Sequence, residues 1–181
     1  MSFVTLAEVK AVGRIDYDTH DTVLEMLIDA AEEYVEEHCC IKLTETAITG
    51  ERVDGGTESL WVRNLPITAV SSITDVGDGQ SSTVDADDFF FVDTRIVAED
   101  GARFLAGKYR YSVDYTAGYT SSTAPKGLKP AIIGLVLLGY NNSEGKGRQA
   151  ANGFGCDFAK LAEDNDLIDR LNHFSLRRYV E

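Results

Sequence analysis

The spacing of apolar residues changes twice along the chain, dividing it into a helical, a β and a second helical stretch. Leu24, Leu27, Ile28, Ala31, Tyr34, Val35 and His38 or Cys39 recur with the 3.6-residue period of a helix. Glu25, Asp29, Glu32, Glu33, Glu36 and Glu37 occupy much of the other side. Such a helix spans roughly 27 Å. Its carboxylates crowd the C-terminal half, where the helix dipole disfavours them. Upstream, Thr5 followed by Glu8 forms a capping-box pattern, in which hydroxyl and carboxylate each take a free amide of the first turn. It predicts a short helix from Leu6 to about Val12 that stops at Gly13, with Asp16 to Asp21 as turn and cap.

From 45 to 123 the pattern becomes β. Ala47 to Val53, Ser59 to Arg63, Val70 to Thr74, Phe89 to Val92 and Lys108 to Thr116 read as strands, with Asp54-Gly55-Gly56 and Gly77-Asp78-Gly79 as turns. In the last run Tyr109, Tyr111, Val113 and Tyr115 alternate with Arg110, Ser112 and Asp114, the period of a half-buried strand. Asp75 to Asp88 is polar and reads as an exposed loop.

Beyond Pro125 and Pro130 the helical rhythm returns. Ala131 to Tyr140 is apolar on almost every side, which predicts a buried helix. Asn141 to Asp157 holds Gly145, Gly147, Gly153 and Gly155 with Lys146 and Arg148 between them, and reads as a long flexible loop at 141–157. Phe158, Leu161, Leu167, Ile168, Leu171 and Phe174 then fall at helical spacing. Asp164 or Asp166 is a candidate cap, and Arg177 and Arg178 lie near the favourable end of the dipole. The expected fold is α+β. A small helical core, made of the long N-terminal helix and C-terminal helices, carries an inserted antiparallel β region at 45–123, all within one domain, 1–181.

Composition narrows the class. Apolar residues are 44% and charged residues 26% of the 181, proportions of a globular chain rather than of disorder or a fibre. The longest apolar run, Ala131 to Leu138, is too short to span a bilayer, and MSFVTLAEVK lacks the basic start and apolar core of a signal peptide. An intracellular, soluble chain is expected. Cys39, Cys40 and Cys156 do not make a disulfide framework and fit free thiols. The net charge of −13 is concentrated at the front: residues 1–60 hold 14 acids and 4 bases, residues 126–181 hold 7 and 8. That excess argues against a free nucleic-acid binder, whose affinity rests on neutralising phosphates.

Candidate chemistry is sparse. Gly145-Lys146-Gly147-Arg148 has neither P-loop spacing nor a preceding strand, although a basic loop of this kind suits transient contact with DNA phosphates. Asp16, Asp18 and Asp21 resemble the start of a calcium loop but lack its central glycine and closing glutamate, so solvated turns are the reading there and at Asp85, Asp87 and Asp88. His20 reads as part of a helix cap, His38 as a partly buried helix residue, and His173 as a neighbour of core positions. No HExxH or GxSxG motif is present, and Cys156 has no activating neighbour. Trp61 suits either a core anchor or a subunit contact. Tyr109, Tyr111, Tyr115 and Tyr119 suit either a packed sheet face or a peptide-binding surface. No enzyme, cofactor or metal site is expected.

Three segments in this order carry a resemblance. Thr5-Leu6-Ala7-Glu8-Val9-Lys10 leads into the long helix containing Leu27-Ile28-Asp29-Ala30-Ala31-Glu32-Glu33-Tyr34-Val35-Glu36. Leu65-Pro66-Ile67 precedes Val70 and Ile73. Tyr111-Ser112-Val113-Asp114-Tyr115-Thr116-Ala117-Gly118-Tyr119 is followed by Pro125, Leu128, Lys129 and Ala131-Ile132. Together they resemble the head–tail connector family of tailed phages, also called head-completion or adaptor proteins. The resemblance implies a virion protein at the head–tail interface, made in the host cytoplasm. It implies a ring of copies, commonly twelve, beneath the portal protein, extending the DNA channel and offering a platform to a stopper or tail protein. It also implies transient, non-specific contact with packaged DNA and no membrane. A C-terminal helical docking segment, 158–181, would engage the portal through Leu171, Phe174, Leu176, Arg177, Arg178 and Tyr179, its apolar side chains left open to solvent. Lys146 and Arg148 would serve as loop contacts to DNA or to a neighbouring subunit. A tail-side virion protein such as a tail terminator is the alternative.

Overall fold

In a computed structural model, residues 2–77, 81–120, 122–145 and 167–175 are described. They form two compact units: a helical unit drawn from Met1–Cys39 and Thr123–Ser175, and a β unit within Cys40–Ser122. The elements are α1 (Leu6–Gly13), α2 (Asp21–Cys39), β1 (Thr46–Val53), β2 (Ser59–Leu60), β3 (Ile67–Asp75), β4 (Ser82–Thr83), β5 (Phe89–Val92), β6 (Arg95–Ala98), β7 (Tyr111–Ala117), α3 (Leu128–Gly145) and α4 (Leu167–Asn172). The α+β architecture is the one read from the sequence.

In the helical unit the capping box is complete. Thr5 Oγ1 accepts from the Glu8 amide at 3.3 Å, and the Thr5 amide donates to Glu8 Oε2 at 2.9 Å. Arg14 closes α1 in the left-handed conformation. The predicted stripe of α2 is the buried one: Leu24, Leu27, Ile28, Ala31, Val35 and Cys39 all face inward. Burial of each large side chain of this kind contributes about 1.5–3 kcal/mol. Helix α3 buries Leu128, Ala131, Ile132, Ile133, Leu135, Val136 and Tyr140, and it meets α1, α2 and α4. It is the centre of the unit, which explains why it is apolar around most of its circumference. The helix runs on to Gly145, so Asn141 to Gly145 are helical rather than loop. No proline interrupts the backbone ladder there. Residues 146–157 lie outside the described residues.

The β unit holds two antiparallel sheets, a four-stranded one in the order β1-β7-β3-β4 and a three-stranded one in the order β2-β6-β5. Tyr111, Val113, Tyr115 and Ala117 of β7 point inward as the alternation predicts. They share one core with Val53, Leu60, Val62, Leu65, Ile67, Ile73, Ile96, Ala98 and Phe104. Tyr109 does not continue that face. Its φ is 50°, its amide is taken by Asp54 Oδ1 at 2.7 Å, and it is exposed. The strand expected at Ser59 to Arg63 ends at Leu60; beyond it side chains take main-chain amides, that of Arg63 donating to Glu51 Oε1 at 2.8 Å and that of Asn64 to the Tyr115 hydroxyl at 3.3 Å. The polar stretch Asp75 to Asp88 is not all loop, since β4 pairs with the end of β3 and Ala86–Asp88 forms a 3-10 turn.

Candidate functional site

The residues singled out for docking divide by depth. Leu171 on α4 is fully buried, and Leu167 beside it is nearly so. Their helix is held to α2 by a hydrogen bond from Cys39 Sγ to the Leu171 carbonyl at 3.4 Å, and by a bond between His38 Nε2 and Asn172 Oδ1 at 3.3 Å. This corrects the expectation of an open apolar face on the last helix: in its described part that face fills the core of the helical unit. Phe174 is half-buried, its ring edge 3.0 Å from where a Cβ on Gly127 would stand. His173 is exposed, beside the buried Leu171 and the half-buried Phe174. Leu176, Arg177, Arg178 and Tyr179 lie outside the described residues, as do Lys146, Arg148, Cys156 and the candidate caps Asp164 and Asp166.

The acidic side of α2 reaches solvent through Glu25, Asp29, Glu33 and Glu37. The aspartates before it are engaged locally. Lys10 Nζ donates to Asp18 Oδ1 at 2.6 Å and to Asp21 Oδ1 at 2.7 Å, which raises the lysine's pKa and lowers that of Asp18. These carboxylates thus tie α1 to the start of α2. His20 accepts the Leu24 amide on its carbonyl at 2.9 Å, the capping position, and its Nδ1 lies 2.7 Å from the Tyr140 hydroxyl, which also meets the Tyr17 hydroxyl at 2.8 Å. Lys129 Nζ donates to Glu8 Oε1 at 2.8 Å; with the Thr5 amide, that bond holds the Glu8 carboxyl down to about 2. No group of three or more His, Cys, Asp or Glu side chains suited to a metal occurs among the described residues, and no described helix is long and apolar enough to cross a membrane.

In the β unit two polar contacts fix the interior. The Tyr115 hydroxyl donates to Glu51 Oε2 and accepts from the Asn64 amide and side chain, both at 3.3 Å. Burial first, and the Glu51 carboxylate second, push its pKa up. Arg110 Nε donates to both oxygens of Asp75, at 2.9 and 3.0 Å, and its guanidinium also reaches the Ala106 carbonyl at 3.2 Å. Tyr111 and Tyr115 are therefore core residues and present no ring to a peptide. Trp61 is not a core anchor: it lies on the surface with the Arg95 guanidinium 5.3 Å from its ring centre.

The apolar surface of this unit is one the sequence did not mark. Phe90, Phe91 and Val92 of β5, together with Leu105 and Tyr109, are exposed. The signal was present in Phe89-Phe90-Phe91-Val92, a run too short to be a core helix and flanked by aspartates, but a run of apolar residues reads first as a buried strand.

The head completion protein family matches residues 2–163. The chain belongs to that family, as the resemblance in its sequence implies. Three solved structures share the fold. The neck of an empty gene transfer agent (GTA) particle computed with C6 symmetry aligns at a TM-score of 0.62 and 20% identity, over 93% of this chain and 88% of that one. The virion of a native GTA particle gives 0.54 and 21%, over 93% and 88%. The neck of a native GTA particle computed with C12 symmetry gives 0.52 and 20%, over 93% and 90%. No curated protein sequence matches.

Proposed function

We propose that this protein is a head–tail connector (adaptor) subunit, a structural component of the head–tail interface of a virion or phage-like particle. Family membership across residues 2–163 carries the reading, and likeness of fold to proteins in the necks of gene transfer agent particles supports it. Copies of the chain form a ring, twelve in number, under the portal protein. The ring extends the DNA channel and offers its far side to a stopper or tail protein. Closed rings need two different side surfaces on each subunit.

Docking to the portal falls on Leu176, Arg177, Arg178 and Tyr179. Leu171 and Phe174 anchor the helix that precedes them, because Leu171 is spent inside the helical unit. Lys146 and Arg148 are the residues for passing contact with DNA.

The test is sedimentation of the chain alone and with its cognate portal, for the full protein and for a version ending at Ser175. The cut belongs there and not earlier, since removing Leu167 and Leu171 would empty part of the helical core. A portal complex that gains up to twelve copies, and loses them on truncation while the helical signal persists, supports the reading. No association of the intact chain with the portal overturns it and directs the search to tail tubes.

A further inference from the structure

Edge strands expose unpaired amides and carbonyls, and soluble proteins usually blunt them with bulges, short strands or charge. Three edges among the described strands are blunted. β1 is broken by a bulge between Ile48 and Glu51, where the Gly50 amide turns to Asp114 Oδ1 at 2.7 Å, and β2 and β4 have two residues each. β5 is not. It pairs with β6 without irregularity from Phe89↔Ala98 to Val92↔Arg95, and no described strand pairs with its other side. Phe90, Phe91 and Val92 are 44%, 40% and 41% exposed. Neighbouring side chains of a strand point to opposite faces, so apolar surface is open on both. Exposed aspartates frame it: Asp85, Asp87 and Asp88 before the strand and Asp93 in its hairpin turn, the nearby Arg95 lying over Trp61.

On the far edge of the same sheet lies a segment, Arg103–Tyr109, that carries bases and no acids of its own, with exposed Glu58 beside it and exposed Glu99 and Asp100 before it. The chain entering β2 binds it. The Gly56 amide donates to the Phe104 carbonyl and the Phe104 amide to the Thr57 carbonyl, each at 3.0 Å, and the Gly55 amide donates to Gly107 at 2.9 Å. The Leu105 amide donates to the buried Tyr111 hydroxyl at 2.8 Å, fixing the segment further. It exposes Leu105 (59%) and Tyr109 (63%) beside the exposed bases Arg103 and Lys108; Arg103 also meets Glu58 at 3.5 Å.

We propose that β5 of one subunit docks against the Arg103–Tyr109 segment of the next copy. The contact joins an acidic, apolar edge to an apolar segment whose own charges, Arg103 and Lys108, are basic. Two unlike patches on one unit make it head-to-tail, the type of contact that builds rings. The proposal rests on the ring reading above and adds the surface through which the ring closes.

Cysteine pairing tests it. Phe91→Cys and Leu105→Cys are placed in separate copies carrying Cys40→Ser and Cys156→Ser, mixed with the cognate portal, and oxidised. A disulfide between the two kinds of copy is expected, with a ladder of linked subunits when both changes sit in one chain. In sedimentation, Phe91→Glu weakens self-association at least about tenfold. Asp88→Lys and Lys108→Glu each weaken it, and their combination restores it. Self-linking of Phe91→Cys copies alone would show β5 meeting β5 and overturn the head-to-tail contact. Rings that assemble without the mixed disulfide leave the connector reading standing and overturn this interface. Failure of the subunits to gather at all, even on the portal, removes the ring reading and the contact together.

Discussion

Tyr115 of β7 donates its buried hydroxyl to the carboxylate of Glu51 on β1, the strand beside it. The same oxygen accepts from Asn64, so one phenol ties β7 to the edge strand and to the chain between β2 and β3. Tyr115→Phe takes a partner from Glu51 Oε2 and from Asn64 and is expected to cost about 2 kcal/mol, read from urea unfolding. The raised pKa sets the pH window. The neutral phenol is favoured in the folded state, so the contribution is present in full below the ordinary value of 10.0 and lost as pH climbs above it. Absorbance at the phenolate band, compared with that of Tyr115→Phe, should show the Tyr115 phenol ionising above the ordinary value of 10.0.

Glu8 works in the opposite direction. Its carboxyl titrates near 2 instead of 4.5 because Lys129 and the Thr5 amide hold the charged form. Its contribution is complete above pH 4.5 and disappears as the pH falls towards 2. Glu8→Ala is expected to cost about 1 kcal/mol, because it removes the acceptor for the Thr5 amide that Gln would keep. The Lys129 pair contributes only about a few tenths, since both side chains are more than a third exposed. Carboxyl NMR titration checks this: Lys129→Met should move the Glu8 midpoint up from about 2 towards 4.5.

Gly118 ends β7 at a φ of +117°, with its amide donating to the Pro66 carbonyl at 2.9 Å. A Cβ here would stand 2.3 Å from the Thr44 carbonyl oxygen, a backbone atom that cannot swing away. Gly118→Ala should lower stability by about 2 kcal/mol or more through strain. Gly50→Ala tests the cause: it also has positive φ, at +70°, but nothing within 4 Å of its Cβ, so its loss should be smaller.

Leu171→Ala removes a fully buried side chain and is expected to cost about 2–5 kcal/mol. His173→Ala, one turn's end away and exposed, should be close to neutral. Thermal unfolding of both variants separates a residue that fills the fold from one that merely adjoins it.

Periodicity revealed what periodicity measures. The stripe of α2 and the alternation of β7 each follow from long runs in which one face is buried, and both were legible. Arg95–Ala98 was not, because four residues joined to β5 by a two-residue turn give too few repeats to register. The docking candidates show a second limit. Leu171 lies at core spacing, and spacing alone does not tell whether an apolar face is covered by its own chain or by a partner. Phe90 and Phe91 failed for the converse reason: consecutive phenylalanines suggest an interior, and only the strand order, with β5 outermost, places them in solvent.

The central position of α3 also sets an order of events during synthesis. The described β unit is one continuous stretch, residues 40–122, and can complete its sheets soon after it leaves the ribosome. The helical unit cannot. α1 and α2 emerge first, but the helix that covers their apolar stripes begins only at Leu128. For the time taken to translate everything between Cys39 and Leu128, Leu24, Leu27, Ile28 and Val35 lack the cover that α3 gives. The nascent chain is then most exposed to holding chaperones and to wrong associations.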